Sequence, residues 1–112
     1  MRWAKFSKVL TDEARASGEF LDPKSRIGIR MDGTRYVRLG KLDWNIQYER
    51  VFERDKSKCQ KCGNGLTQID GEIDHVIPRG RGGDDSLLNL QLLGGPWSIC
   101  KCHRGRKGSK HA

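Results

Sequence analysis

The chain has 112 residues, with 22 Lys and Arg against 14 Asp and Glu and a formal net charge of +8. At 35% hydrophobic and 32% charged residues its core is thin, and chains of this size commonly need a metal or a disulfide to hold together. No stretch approaches the roughly 18 apolar residues of a membrane span, which excludes a membrane-embedded helix, and the positive charge points to a polyanionic partner such as nucleic acid. The start, MRWAKFSKVLTDE, has neither the apolar run nor the small-residue cleavage site of a secretory signal. A cytoplasmic protein with reduced thiols is therefore expected, and its four cysteines point to metal rather than disulfides.

In chain order, Trp3, Phe6, Leu10 and Ala14 recur at helical spacing, which predicts one or two short helices within residues 3–21, ending near Gly18. RIGIRMDGTRYVRLG follows, two strand-like runs joined by Asp32-Gly33, a hairpin signal. A two-residue turn there would set Arg30 opposite Arg35 and Ile29 opposite Tyr36. Arg26, Arg30, Arg35 and Arg38 make this hairpin basic, either as a solvated face or with Arg30 and Arg35 against a DNA backbone. Asp43 can cap a helix from Trp44 to about Arg54, with Trp44, Tyr48, Val51 and Phe52 on its core face.

Cys59-Gln-Lys-Cys62, followed by Gly63, has the form of a zinc knuckle, in which backbone amides point at the thiolates. Cys100-Lys-Cys102 is a tighter second pair. Together Cys59, Cys62, Cys100 and Cys102 can supply four thiolates to a structural Zn²⁺, whose binding adds directly to folding free energy. The single residue between the last two leaves His103 as a substitute ligand for one of them. Between the pairs lies GEIDHVIPRGRGGDDSLLNLQLL, residues 71–93, with Asp74-His75 ending one apolar run and Asn89 preceding another. The basic tail KCHRGRKGSKHA is expected to begin as a short helix and fray after Gly108.

CQKCG, IDHVIPRGRGG, NLQLL and CKCHRGRK stand in the order used by the HNH endonuclease family, which residues 44 to about 108 resemble. The resemblance implies an α+β, ββα-metal fold, with a two-stranded antiparallel hairpin packed by helices, one divalent cation between them and a structural zinc as clamp. It divides the chain into an N-terminal extension of helix and basic β-hairpin (1–41), an HNH nuclease domain (42–108) and a basic tail (109–112). Two features depart from the family pattern: the one-residue spacing of the second cysteine pair and the insert GGPWSI after Leu93.

Adjacent strand residues point to opposite faces, so Asp74 and His75 can divide the labour. The resemblance implies that Asp74 and His103 hold a catalytic Mg²⁺, Mn²⁺ or Ni²⁺. His75 would take a proton from water, a role that suits a side chain titrating near neutrality. Asn89 would pin the loop or orient His75. Arg79 and Arg81, with Gly80, Gly82 and Gly83 permitting close backbone approach, and Arg104, Arg106 and Lys107 beside His103, are expected at DNA phosphates. The implied activity is a metal-dependent DNA endonuclease that nicks or cuts both strands. Small free-standing members of the family point further to a phage or prophage setting, with phage packaging proteins as partners. The alternative is a catalytically silent zinc-knuckle module that binds nucleic acid or protein, which would need the cysteines but not Asp74, His75 and His103 together.

Overall fold

Residues 3–103, which the computed structural model describes, run β1 (Trp3–Phe6), α1 (Lys8–Ala16), β2 (Arg26–Arg30), β3 (Arg35–Arg38), α2 (Lys41–Arg54), β4 (Gly71–His75) and β5 (Leu90–Gly94). Single 3-10 turns lie at Arg79–Arg81 and Leu87–Asn89. The architecture is α+β, and no described helix is long and apolar enough to cross a membrane. The chain divides into two compact units. The first combines the chain up to Gln47 with His75–Asn89, and the second combines Tyr48–Asp74 with the chain from Leu90 onward.

In the first unit β1, β2 and β3 form one antiparallel sheet in that order. Trp3–Phe6, expected to be helical, is a strand that pairs with β2 at Trp3↔Arg30 and Phe6↔Gly28. The helix begins only after Ser7, which is extended and whose hydroxyl accepts from the Leu10 amide at 3.3 Å, the N-cap contact that satisfies an otherwise orphaned donor. Gly28 faces Phe6 on one side and Tyr36 on the other. With no side chain between them, the two rings approach to 6.1 Å. Ala14, Phe20 and Ile27 form the core of this unit, with Leu10, Val37 and Leu39 packed around it.

The β2–β3 hairpin differs from expectation by one residue of register. Ile29, not Arg30, stands opposite Arg35, and Gly28 stands opposite Tyr36. The turn is a three-residue loop rather than a two-residue one. The Arg30 amide donates to the Thr34 carbonyl at 2.7 Å, the Asp32 carboxylate accepts from the Thr34 amide and hydroxyl at 3.0 and 2.6 Å, and Gly33 is left-handed at φ +88°. A turn closed by a left-handed glycine of this kind is a standard longer hairpin connection.

Asp43 is not the N-cap of α2, which starts two residues earlier. The Asp22 carboxylate takes the exposed first-turn amide of Leu42 at 2.9 Å. Asp43 looks backwards instead and accepts from the Leu21 and Asp22 amides, both at 2.9 Å, and from the Ser25 hydroxyl at 2.6 Å. The two carboxylates thus cap each other's backbone. Gly40 is required beside them, because a Cβ there would lie 2.3 Å from Asp22 Cγ.

In the second unit β4 and β5 make a two-stranded sheet. Val51, Cys59, Leu66, Leu90, Leu92 and Leu93 are buried. Tyr48 donates to the Gly71 carbonyl at 2.9 Å, and a Cβ at Gly71 would come within 2.9 Å of Leu92 and 3.2 Å of Phe52, so glycine lets the strand start close beneath these side chains. The end of α2 holds β5: Arg54 donates to the Leu90 carbonyl at 2.5 Å and Asp55 accepts from the Leu92 amide at 2.9 Å.

Candidate active site and zinc centre

The Sγ atoms of Cys59, Cys62, Cys100 and Cys102 all lie within 4.8 Å of one another. A tetrahedral Zn²⁺ with bonds of about 2.3 Å needs sulfurs about 3.8 Å apart, so a small inward adjustment completes the set. The first pair sits in a knuckle closed by the Gly63 amide on the Cys59 carbonyl at 2.7 Å, with Gly63 left-handed at φ +82°. The second achieves the same convergence over a shorter span because Lys101, between the two cysteines, is itself left-handed at φ +50°. The Ser98 hydroxyl supports that turn by accepting from the Lys101 amide at 2.9 Å and donating to the Gly95 carbonyl at 2.7 Å. The insert is therefore the scaffold of the second pair. Gly94 has no room for a side chain, since a Cβ there would lie 2.3 Å from Cys100 Sγ.

Burial pushes all four thiols up; at Cys62 the Asn64 amide is the largest single influence and lowers it, but burial and the Cys100 and Cys59 thiols outweigh that pull and hold Cys62 above its ordinary range. At Cys59 the amides of Cys62, Gly94 and Lys61 outweigh burial and hold the thiol below its ordinary range. At Cys100 the Cys102 amide and neighbouring thiols bring it down to about 6. Cys102 is pushed up to about 12 by burial and then by the other three sulfurs. Thiols packed this closely resist ionising together. A divalent ion removes the conflict by taking all four as thiolates.

The second cluster lies on β4 and at the far end of the described chain. Asp74 is buried and its Oδ2 accepts from Gln91 Nε2 at 2.9 Å. His103, where helical backbone resumes, is also buried, and its Nδ1 lies 2.7 Å from Glu72 Oε1. That contact leaves Nε2 facing Asp74 Oδ1 across 3.7 Å. The gap exceeds hydrogen-bond length, but one divalent cation with bonds of about 2.1 Å to each atom spans it. A carboxylate on the far nitrogen is the usual means of orienting a metal-binding histidine. The donor set therefore fits a hard divalent cation.

In the first unit, His75 Nε2 lies 2.8 Å from Asp85 Oδ1, and its ring stacks on Trp44 at 5.7 Å with 6° between planes. Arg79 reaches the same Asp85 oxygen from Nη2 at 2.8 Å and from Nε at 3.2 Å. Burial alone would raise the Asp85 carboxyl, but hydrogen bonds from His75, the Leu39 amide and Arg79 win and hold it below the ordinary carboxylate range. Asn89 bonds the loop rather than His75: its Oδ1 accepts from the Ile77 amide at 2.8 Å, and its Nδ2 donates to the carbonyls of Ile77 at 3.0 Å and Asp84 at 2.9 Å.

A family model for HNH endonuclease matches residues 59–108. That segment is similar to HNH endonucleases. No curated protein and no solved structure gave a significant match to the chain. Within the HNH segment, the fold brings Asp74 together with His103, and all four cysteines with one another. His103 thus pairs with Glu72 and faces Asp74, and the four-thiol group does not include it.

The expected phosphate contacts divide. Arg81 and Arg35 are exposed, the latter beside Glu19. Arg30 is largely enclosed: its side chain is only 15% exposed, lies over the Tyr36 ring at 5.1 Å, and donates to the carbonyls of Arg35 at 2.5 Å and Gly82 at 3.2 Å. Arg79 is tied to Asp85. Arg104, Arg106 and Lys107 lie outside the described residues. The glycines also change role. Gly82 is left-handed at φ +87°, and a Cβ on Gly83 would meet the Ile77 carbonyl oxygen at 1.7 Å, so these two serve chain packing, while Gly80 stays open.

Sequence reasoning missed Glu72 and Gln91 as partners of His103 and Asp74, and Trp44 and Asp85 as partners of His75. Glu72 carried a usable signal, being two residues before Asp74 and so on the same strand face. Asp85 carried none that separated it from Asp84.

Proposed function

We propose that this protein is a DNA endonuclease that hydrolyses phosphodiesters with a single divalent cation held by Asp74 and His103. The observation that carries this reading is the Asp74–His103 pair, buried and braced on both sides by Gln91 and Glu72. Bound there, the cation would supply Lewis-acid stabilisation of charge on the phosphate and on the leaving 3′ oxygen. Gln91 and Glu72 brace the two ligands so that His103 Nε2 and Asp74 Oδ1 face each other. His75, the next residue after Asp74, takes the proton from the attacking water, whose oxygen bonds to phosphorus as the 3′ oxygen departs, leaving a 5′-phosphate. Arg81, exposed in the loop, and Arg35, exposed but paired with Glu19, would meet the phosphate backbone, with a binding strength that falls with salt. A silent binding module has no use for a buried ligand pair of this kind.

The test is nicking of supercoiled plasmid across Mg²⁺, Mn²⁺, Ni²⁺ and Zn²⁺ by wild type, His75→Ala, Asp74→Ala and His103→Ala. His75→Ala should keep DNA binding and lose on the order of 10² to 10⁴ in cleavage rate at every metal concentration. Asp74→Ala and His103→Ala should recover part of their loss at high Mn²⁺. Wild-type cleavage by His75→Ala, or its rescue by metal while the other two stay dead, overturns the assignment.

A further inference from the structure

The sheet formed by β1, β2 and β3 precedes the HNH segment, and its last strand ends against the loop after His75. The Val37 amide donates to Asp84 Oδ2 at 3.0 Å, the Asp85 amide donates to the Val37 carbonyl at 2.8 Å, and the Leu39 amide donates to Asp85 Oδ2 at 2.9 Å. Gln47 on α2 adds a bond to the Asp85 carbonyl at 3.0 Å, and Tyr36 donates to the Gly83 carbonyl at 3.2 Å. The edge of β3 is thus completed by the Asp84–Asp85 segment, which fixes the Asp85 carboxylate, 1% exposed, on both oxygens. Its Oδ1 then receives His75 Nε2 and the two nitrogens of Arg79.

We propose that Asp85 is a positioning residue for the hydrolytic reaction, and that the N-terminal sheet serves to hold it, so that His75 is locked with its proton on Nε2 and presents Nδ1 to the water. This inference rests on His75 acting as the base. A carboxylate only accepts, so the ring nitrogen beside it donates, and the second nitrogen keeps its lone pair. Trp44 fixes the ring plane and Asp85 fixes the rotation within that plane. Arg79 keeps Asp85 compensated, since a buried carboxylate without a cation or several donors is costly. The groups facing the imidazole from the packed elements are Asp85 and, through it, Arg79, with Trp44 on the ring face. Orienting a histidine by a carboxylate on its far nitrogen is a general device of acid–base sites, here supplied by a strand edge.

The experiment pairs kinetics with the imidazole tautomer. Long-range ¹H–¹⁵N spectra of the full chain with zinc bound, at a pH where the rings are neutral, should show His75 as the Nε2–H form. In Asp85→Asn, whose amide can donate as well as accept, the two forms should mix. The maximal cleavage rate should fall about 10² to 10⁴-fold with little change in DNA affinity or zinc content. Asp85→Glu, which restores an acceptor-only group, should recover part of that loss. Asp85→Asn cutting at the wild-type rate while His75→Ala is dead overturns this inference and leaves the endonuclease reading intact. If Asp85→Asn does not fold, the wild-type spectrum still decides: His75 as the Nδ1–H form overturns the inference.

Discussion

The two compact units meet the same shortage of apolar residues with different chemistry. The first is tied by carboxylates that accept from backbone amides: Asp22 from Leu42 and Lys24, Asp43 from Leu21 and Asp22, Asp84 from Val37, and Asp85 from Leu39. The second gathers four thiols at one point and closes its strands with Arg54, Asp55 and Tyr48. One set of cross-links is distributed and needs no external component. The other is concentrated and depends on an ion. A small core can therefore be secured without metal where buried acids find several donors each, but such acids impose their own sensitivity to protons.

The largest expected effect breaks the second unit and spares the first. Zinc at a four-thiolate site contributes on the order of 10 kcal/mol to folding, more than the stability of many small domains. Elemental analysis after dialysis should give one zinc per chain. Chelation, or Cys59→Ser, should remove hydrogen-exchange protection from the β5 amides while those of β2 and β3 keep theirs. Equal loss in both units would end the distinction between them.

Acid should separate the units in a defined order. The amides of Leu42 and Lys24 lower the Asp22 carboxyl, and in Asp43 burial is outweighed by the Ser25 hydroxyl and two amides, as it is in Asp85 by His75, Leu39 and Arg79. All three pKa values are depressed on folding, so each acid stabilises the native state above its unfolded value of about 3.9. That stability is lost as pH falls below this value and through the folded one. Zinc thiolates take up protons at higher pH. Titration monitored by exchange protection and free zinc should therefore show zinc release first and loss of the β1–β3 sheet second, below about pH 4. The reverse order would show that the carboxylates are not what holds the first unit.

A smaller effect sharpens the comparison within the first unit. Asp43→Ala leaves two amides and a hydroxyl without their acceptor, and a buried donor so stranded costs about 1–3 kcal/mol. Thermal unfolding should move down accordingly while zinc content stays at one per chain. An unchanged melting temperature would mean that water replaces the carboxylate at no cost.

What the sequence disclosed was whatever short spacing encodes. Cys59-x-x-Cys62 announces the thiol cluster within a few letters, and the alternation before His75 marks β4. What stayed hidden depends on partners far along the chain. Trp3–Phe6 has helical spacing, and only its pairing with β2, more than twenty residues later, makes it a strand. Asp32-Gly33 signalled the hairpin correctly, but the Asp32 bonds to Thr34 lengthened the loop and shifted the register by one. Arg30 reads as a surface cation until Tyr36 and the Gly82 carbonyl enclose it. Asp85 gains its role from the β3 edge, which no local pattern specifies.

Gly83 carries a consequence for how this protein's tolerance to mutation will look. Because any Cβ there strikes the Ile77 carbonyl, every substitution must push apart the two ends of the loop that lies between His75 and Asp85. A saturation screen scored by cleavage will rank position 83 beside the histidines, although glycine offers no functional group to the reaction. Position 80, in the same run of glycines but with open space around it, will accept nearly anything. Two letters that look equivalent in the sequence will behave in such a screen as an essential residue and a silent one.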